Sequence, residues 1–151
     1  GETEGPTATK PIVLHTYRKL SNIFEMQQWL IQEALGPNPL KTAIVLEELG
    51  LPYEYRWMEF DQVHQEPYIN INPNGRVPAI EDPNTNMVLW ESAAINEYLV
   101  QTYDKTQKLW CAEGPDHFYM KQWLYFQMSG QGPFYGQGST SAGHVVIVSY
   151  S

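Results

Sequence analysis

Cysteine is nearly absent: Cys111 stands alone, so neither an internal disulfide nor a CxxC redox pair can form, and a thiolate metal cage is excluded. Any thiol chemistry must use a thiol brought from outside. Basic residues are also scarce, nine Lys and Arg against seventeen Asp and Glu for a formal charge of −8. Neutralising phosphates takes clustered cations, which nine scattered ones do not supply, so no nucleic-acid partner is expected. No apolar run approaches the roughly 20 residues that span a bilayer, and the amino terminus lacks a basic region followed by an apolar stretch. The expectation is a cytoplasmic protein with no membrane partner. His15, His117 and His144 have no partner at metal-ligand spacing, so no metal is expected and neither they nor Cys111 are assigned chemistry.

What is present suffices for one core. A chain of 151 residues with 42% hydrophobic residues can bury roughly 68–70% of its unfolded surface. Residues 1–10 are polar and rich in Gly, Pro and Thr, and read as a flexible tail. Pro11 then opens the apolar run Ile12, Val13 and Leu14, a first strand. Pro37, Asn38 and Pro39 precede a helix expected over residues 40–49, with Asn38 as cap, Pro39 at the first helical position and Gly50 at its end. Residues 53–60 are aromatic-rich and read as a second strand. Residues 72–80, NPNGRVPAI, form a turn feeding a short strand, and residues 82–86 are turn material before a strand over residues 87–90, together a hairpin. Ser92 caps a further helix ending near Tyr103, with Ile95, Tyr98, Leu99 and Thr102 on one stripe. Pro115 and Asp116 open a last helix, on which Phe118, Tyr119, Trp123 and Phe126 share a face. The order is β, α, β, loop, β, β, α, α.

That order, with LKTAIVLEELGLPYEY, NPNGRVPAI and LWESAAINEYL, resembles the amino-terminal domain of glutathione S-transferases, over about residues 11–137. GPNPLKTAIVLEELG and WLYFQMSGQGP are similar to the fungal and bacterial branch that includes the fungal nitrogen-catabolite regulator. The resemblance implies an α/β, thioredoxin-like domain (βαβ-ββα) over residues 11–108. Residues 109–151 would then hold the first helix of a truncated all-α carboxyl-terminal domain and an atypical tail. It also implies a detoxifying transferase with glutathione as co-substrate and no metal.

The site residues follow from the same resemblance. Val77 would offer its main-chain N–H and C=O to the ligand's cysteinyl unit, with Pro78 in a cis peptide; from Val-Pro alone a trans bond is the ordinary reading. Ser92, at a helix start that favours anions, would hold the γ-glutamyl carboxylate, and Glu91 would pair with the ligand's amine. His64 is similar to a histidine that reaches the glycyl end, or is a solvated loop residue. Asn38 matches an asparagine near the thiol, whose pKa an amide N–H or a helix N-terminus can lower. Ser21 and Asn22 are a second candidate for thiol contact, or turn residues. Arg76 balances ligand carboxylates or sits in water.

Two departures from the family pattern stand out. Residues 23–35, IFEMQQWLIQEAL, form an insertion with helical spacing at Ile23, Met26, Leu30 and Ala34, read either as a docked amphipathic helix or as an unspliced or mispredicted segment. After GQGPFYGQ the expected helices give way to GSTSAGHVVIVSYS, for which a frame shift, truncation or alternative splice is the leading explanation. Those helices supply most of the electrophile pocket and much of the dimer contact, so conjugation and any homodimer would be weakened and the aromatic face near Trp123 left uncovered. Three functions remain: an enzyme directing the glutathione thiolate at a small electrophile or a mixed disulfide; a non-catalytic regulatory or binding protein of the same fold; and an inactive truncated product. The absence of an Asn- or Gln-rich stretch before Pro11 counts against the regulator's specific role.

Overall fold

A computed structural model describes residues 7–17 and 37–134. They fall into two compact units that divide between Ala112 and Glu113.

The first unit runs β1 (Ile12–Tyr17), α1 (Pro37–Glu48), β2 (Tyr53–Met58), two short 3-10 turns (Gln62–His64 and Tyr68–Asn70), β3 (Ala79–Asp82), β4 (Met87–Trp90) and α2 (Ser92–Tyr103). The sheet order is β2-β1-β3-β4. β1 is parallel to β2, with Ile12 opposite Tyr53 and Tyr17 opposite Met58. It is antiparallel to β3, with His15 opposite Ala79, and β3 is antiparallel to β4, with Ala79 opposite Trp90. This is the thioredoxin-like mixed sheet.

Alternation along β1 divides the core. Ile12 and Leu14, with Ile80, face the helices and pack with Ala43 and Leu46 of α1 and Ile95 and Leu99 of α2. The other face carries Ala79, which clusters with Met58, Val63 and Tyr68. There the segment between β2 and β3 covers the sheet in place of a long helix.

Several boundaries differ from the sequence reading. β1 continues through His15, Thr16 and Tyr17, because His15, although polar, is buried at 2% exposure against the Glu81 carboxylate at 2.7 Å. β2 stops at Met58 rather than at residue 60. α1 starts at Pro37, so Asn38 is its second residue and not its cap; prolines fit a first turn, whose N–H groups have no intrahelical acceptor. Glu91 occupies the N-cap of α2, and Ser92, expected there, is the first helical residue. Thr9 and Lys10, read as tail, donate their N–H groups to Asn84 Oδ1 at 3.0 and 2.9 Å.

In the second unit, α3 (Gly114–Phe126) leads directly into one π-helical turn, Gln127–Gln131. Phe118, Tyr119, Trp123 and Phe126 are all exposed, and the Trp123 and Phe126 rings meet edge to face at 5.8 Å.

Candidate functional site

One edge of the sheet gathers most of the candidate residues. Ala79 opposes Trp90 at the end of the β3–β4 ladder, so Pro78, just before β3, and Glu91, just after β4, flank the same end. His15 opposes Ala79, which brings the carboxyl end of β1 there too, and parallel pairing brings the end of β2. α1 packs on β1 and returns through Leu51 and Pro52 to β2 beside the start of β1. Its amino terminus, with Asn38, therefore points back toward the same edge. Two helix starts and the carboxyl ends of two parallel strands make the kind of edge at which α/β sheets hold ligands.

The Val77–Pro78 bond is cis. The peptide before it is held by two buried side chains: the Tyr68 hydroxyl donates to the Arg76 carbonyl at 2.5 Å, and Asn72 Nδ2 donates to the same oxygen at 2.6 Å. Burial pushes the Tyr68 hydroxyl up to about 12, so it keeps its proton and acts as a donor. Asn72 Oδ1 accepts the Asn74 N–H at 2.9 Å, closing the turn that carries Gly75. Gly75 has φ +62°, and a Cβ there would lie 2.3 Å from His64 Nδ1; His64 thus packs on the bare Cα beside Arg76. The Arg76 charge reaches the Tyr17 hydroxyl, which burial pushes up and Arg76 draws part of the way back. Tyr17 in turn packs on the exposed Phe60 at 5.5 Å between ring centroids.

Behind this loop, His15 faces Tyr68 with ring centroids 5.4 Å apart. A carboxylate can only accept, so His15 Nε2 carries the proton shared with Glu81 at 2.7 Å. Its buried Nδ1 has no hydrogen-bond partner among the described residues. Burial lowers the His15 pKa, and the bond to Glu81 offsets part of that.

Glu91 is exposed, with φ 73° and ψ 114° and no capping bond from its side chain. Its carbonyl accepts the first helical bond of α2, from Ile95 N–H at 2.9 Å. Ser92 is buried at 2% exposure. Lys41, on the second turn of α1, lies close enough to Glu91 to feel its charge: burial lowers the Lys41 pKa and the Glu91 carboxylate raises it in part. A carboxylate and an ammonium thus lie within electrostatic reach of each other where the two helices begin, charges of the kind a zwitterionic head group pairs with.

Of the residues expected at the site, the fold brings Val77, Pro78, Glu91 and Ser92 to one edge, places Arg76 and His64 on the adjoining turn, and puts Asn38, exposed, on the first turn of α1. Ser21, Asn22 and residues 23–35 lie outside the described residues. The sequence reading missed Lys41, Tyr68 and Asn72. The Asn-Pro-Asn-Gly run was a signal for Asn72, since Asx side chains close such turns; Lys41 and Tyr68 gave none. No group of three or more His, Cys, Asp or Glu able to hold a metal occurs among the described residues, and among them no helix is long and apolar enough to cross a membrane.

Residues 35–102 match the family model for the amino-terminal domain of glutathione S-transferases. The glutathione S-transferase-like protein gedE of Aspergillus terreus is 55% identical over 103 residues, 68% of this chain and 46% of that protein. Protein URE2 of Saccharomyces bayanus is 37% identical over 131 residues, 80% of this chain and 38% of its own. Among solved structures, the glutathione transferase URE2P6 from Phanerochaete chrysosporium, in complex with oxidized glutathione, superposes with a TM-score of 0.71 at 40% identity, covering 92% of this chain and 59% of that one. The chain spans about half the length, or less, of these curated relatives. Through its thioredoxin-like amino-terminal domain, the chain belongs to the glutathione S-transferase family, on the branch of the URE2-type proteins.

Proposed function

We propose that this edge of the sheet binds glutathione and directs its thiolate at an electrophile or a mixed disulfide. The observation that carries the reading is the meeting of the cis Val77–Pro78 segment with the Glu91–Ser92 start of α2, across the Ala79–Trp90 pair. Val77 would pair with the cysteinyl backbone and Ser92 would take the γ-glutamyl carboxylate. Glu91 would take the amine, with the Lys41 charge within electrostatic reach. His64 and Arg76 face the glycyl end in this reading, and Asn38 at the start of α1 stabilises the thiolate. Glutathione in the complexed structure of URE2P6 supports the ligand class. Domain limits of 11–108 and 109–151, cytoplasmic residence and a homodimer belong to the same proposal.

A second reading is a protein that binds glutathione without turning it over, favoured by the likeness to protein URE2. Calorimetric titration with reduced glutathione tests the site without assuming any electrophile. Saturable one-site binding is expected, weakened about ten- to a hundredfold by Ser92→Ala, as for one lost hydrogen bond to a charged group. Unchanged affinity in that variant removes the assignment of Ser92. Binding followed by turnover of an activated aryl halide or a glutathione mixed disulfide selects the transferase reading, and binding without turnover selects the second. No heat from a soluble sample counts against both, as an inactive truncated product would behave.

A further inference from the structure

Two side chains outside the expected ligand set converge on one backbone oxygen. Tyr68 and Asn72 are 3% and 2% exposed, and both donate to the Arg76 carbonyl, at 2.5 and 2.6 Å. A carbonyl has two lone pairs, so the two donors saturate it. That oxygen belongs to the planar Arg76–Val77 peptide group, which is not among the cis bonds. In a trans peptide the C=O and N–H point in opposite directions. Holding the oxygen toward Tyr68 and Asn72 therefore turns the Val77 N–H away from them.

The two donors are themselves fixed. The Asn72 N–H donates to the Tyr68 carbonyl at 2.9 Å, and Asn72 Oδ1 is engaged by the Asn74 N–H. The Tyr68 ring lies against His15, which Glu81 holds from β3. The orientation of one peptide plane is thus set by residues of β1, of β3, of the second 3-10 turn and of the segment between it and β3. A rigid plane of this kind spares a ligand the cost of ordering the loop as it binds.

We propose that Tyr68 and Asn72 are positioning residues for the tripeptide ligand, setting its affinity by holding the Arg76–Val77 peptide so that the Val77 N–H meets the cysteinyl carbonyl. The proposal rests on the glutathione reading of the site. It concerns neither the γ-glutamyl head nor the thiol, so its effect is confined to ligands that possess that carbonyl.

The test uses the full chain and two probes. S-methylglutathione carries the cysteinyl carbonyl and has no titrating thiol; γ-glutamylmethylamide keeps the head group and stops short of that carbonyl. The first is titrated by calorimetry and the second at millimolar concentration by the amide shifts of Ser92 and Ala93. Tyr68→Phe keeps the ring and removes one hydroxyl. It is expected to weaken S-methylglutathione about fivefold, as for one lost hydrogen bond, and to leave γ-glutamylmethylamide within about twofold. Asn72→Ser, a second variant, is expected to show the same selective loss. A purely structural role would weaken both probes in parallel. Parallel loss, or unchanged affinity for S-methylglutathione in Tyr68→Phe, overturns the proposal and leaves the glutathione reading standing. Failure of the unaltered chain to bind S-methylglutathione overturns both.

Discussion

Glu91 is the residue at which backbone and function pull against each other. A glutamate at φ 73° occupies a region costing a non-glycine residue on the order of 1–3 kcal/mol, and such strain persists where the surroundings impose it, often at ligand sites. Here the imposing elements are the Ala79–Trp90 pair before it and the first bond of α2 after it. Glycine would relieve the strain while adding about 0.4–1 kcal/mol of chain entropy to the unfolded state. Glu91→Gly is therefore expected to raise folding stability by about 1 kcal/mol in urea titrations. In the glutathione reading the same variant loses affinity, because the carboxylate that meets the ligand's amine is gone. Loss of both stability and affinity would show that Glu91 is held in place by contacts worth more than its strain.

The β3–β4 hairpin has a different task at each end. Its open end carries Pro78 and Glu91; its turn end carries Asp82, 1% exposed. Asp82 accepts from the Tyr98 and Tyr103 hydroxyls, both at 2.6 Å, and from the Asn84 N–H and Nδ2, both at 2.9 Å. Asp82→Ala leaves two tyrosine hydroxyls without their acceptor and is expected to cost about 2–4 kcal/mol in thermal unfolding; in the glutathione reading, ligand affinity is unchanged because the network lies at the far end of the ladder. These two ends were unequally legible in the sequence. The turn residues, the bounds of β4 and the end of α2 could be read because local chemistry fixes them: Pro83 and Asn84 stop one strand, and the Ile95 and Leu99 stripe marks the helix. The Val77–Pro78 and Glu91–Ser92 positions were legible from motif order. The extension of β1 through His15 was not, since a buried histidine depends on Glu81, 66 residues away. Lys41, Tyr68 and Asn72 acquire their meaning only from long-range packing. The shared aromatic face of α3 was legible as a pattern, and Phe118 and Trp123 remain 71% and 64% exposed.

For the whole first unit, acid acts in two separate windows. His15 has its pKa lowered from 6.5 by burial, so the unfolded chain takes up a proton near that value while the folded chain resists it. Stability is full above pH 6.5 and falls on acidification below it, by at most about 1.4 kcal/mol per pH unit. His15→Phe is expected to abolish that slope when urea midpoints at pH 7.5 and 5.5 are compared. Asp82 behaves likewise at lower pH: burial raises its pKa, but the bonds from Tyr103, Tyr98 and Asn84 outweigh it and leave it below 3.8, so its contribution is lost only as pH falls through that value. The central place of β1 has a further consequence. It pairs with β2, about 40 positions on, and with β3, more than 60 positions on, so no short stretch of chain forms the site alone. Contacts of such sequence separation close late and at an entropic cost. A ligand that requires all of them binds only the completed fold and stabilises it by mass action, by about 2.7 kcal/mol at a hundred times its dissociation constant, raising its melting temperature accordingly. Under that linkage, and in the glutathione reading, the ligand in the surrounding solution would govern how much of the chain is folded as well as whether its site is filled.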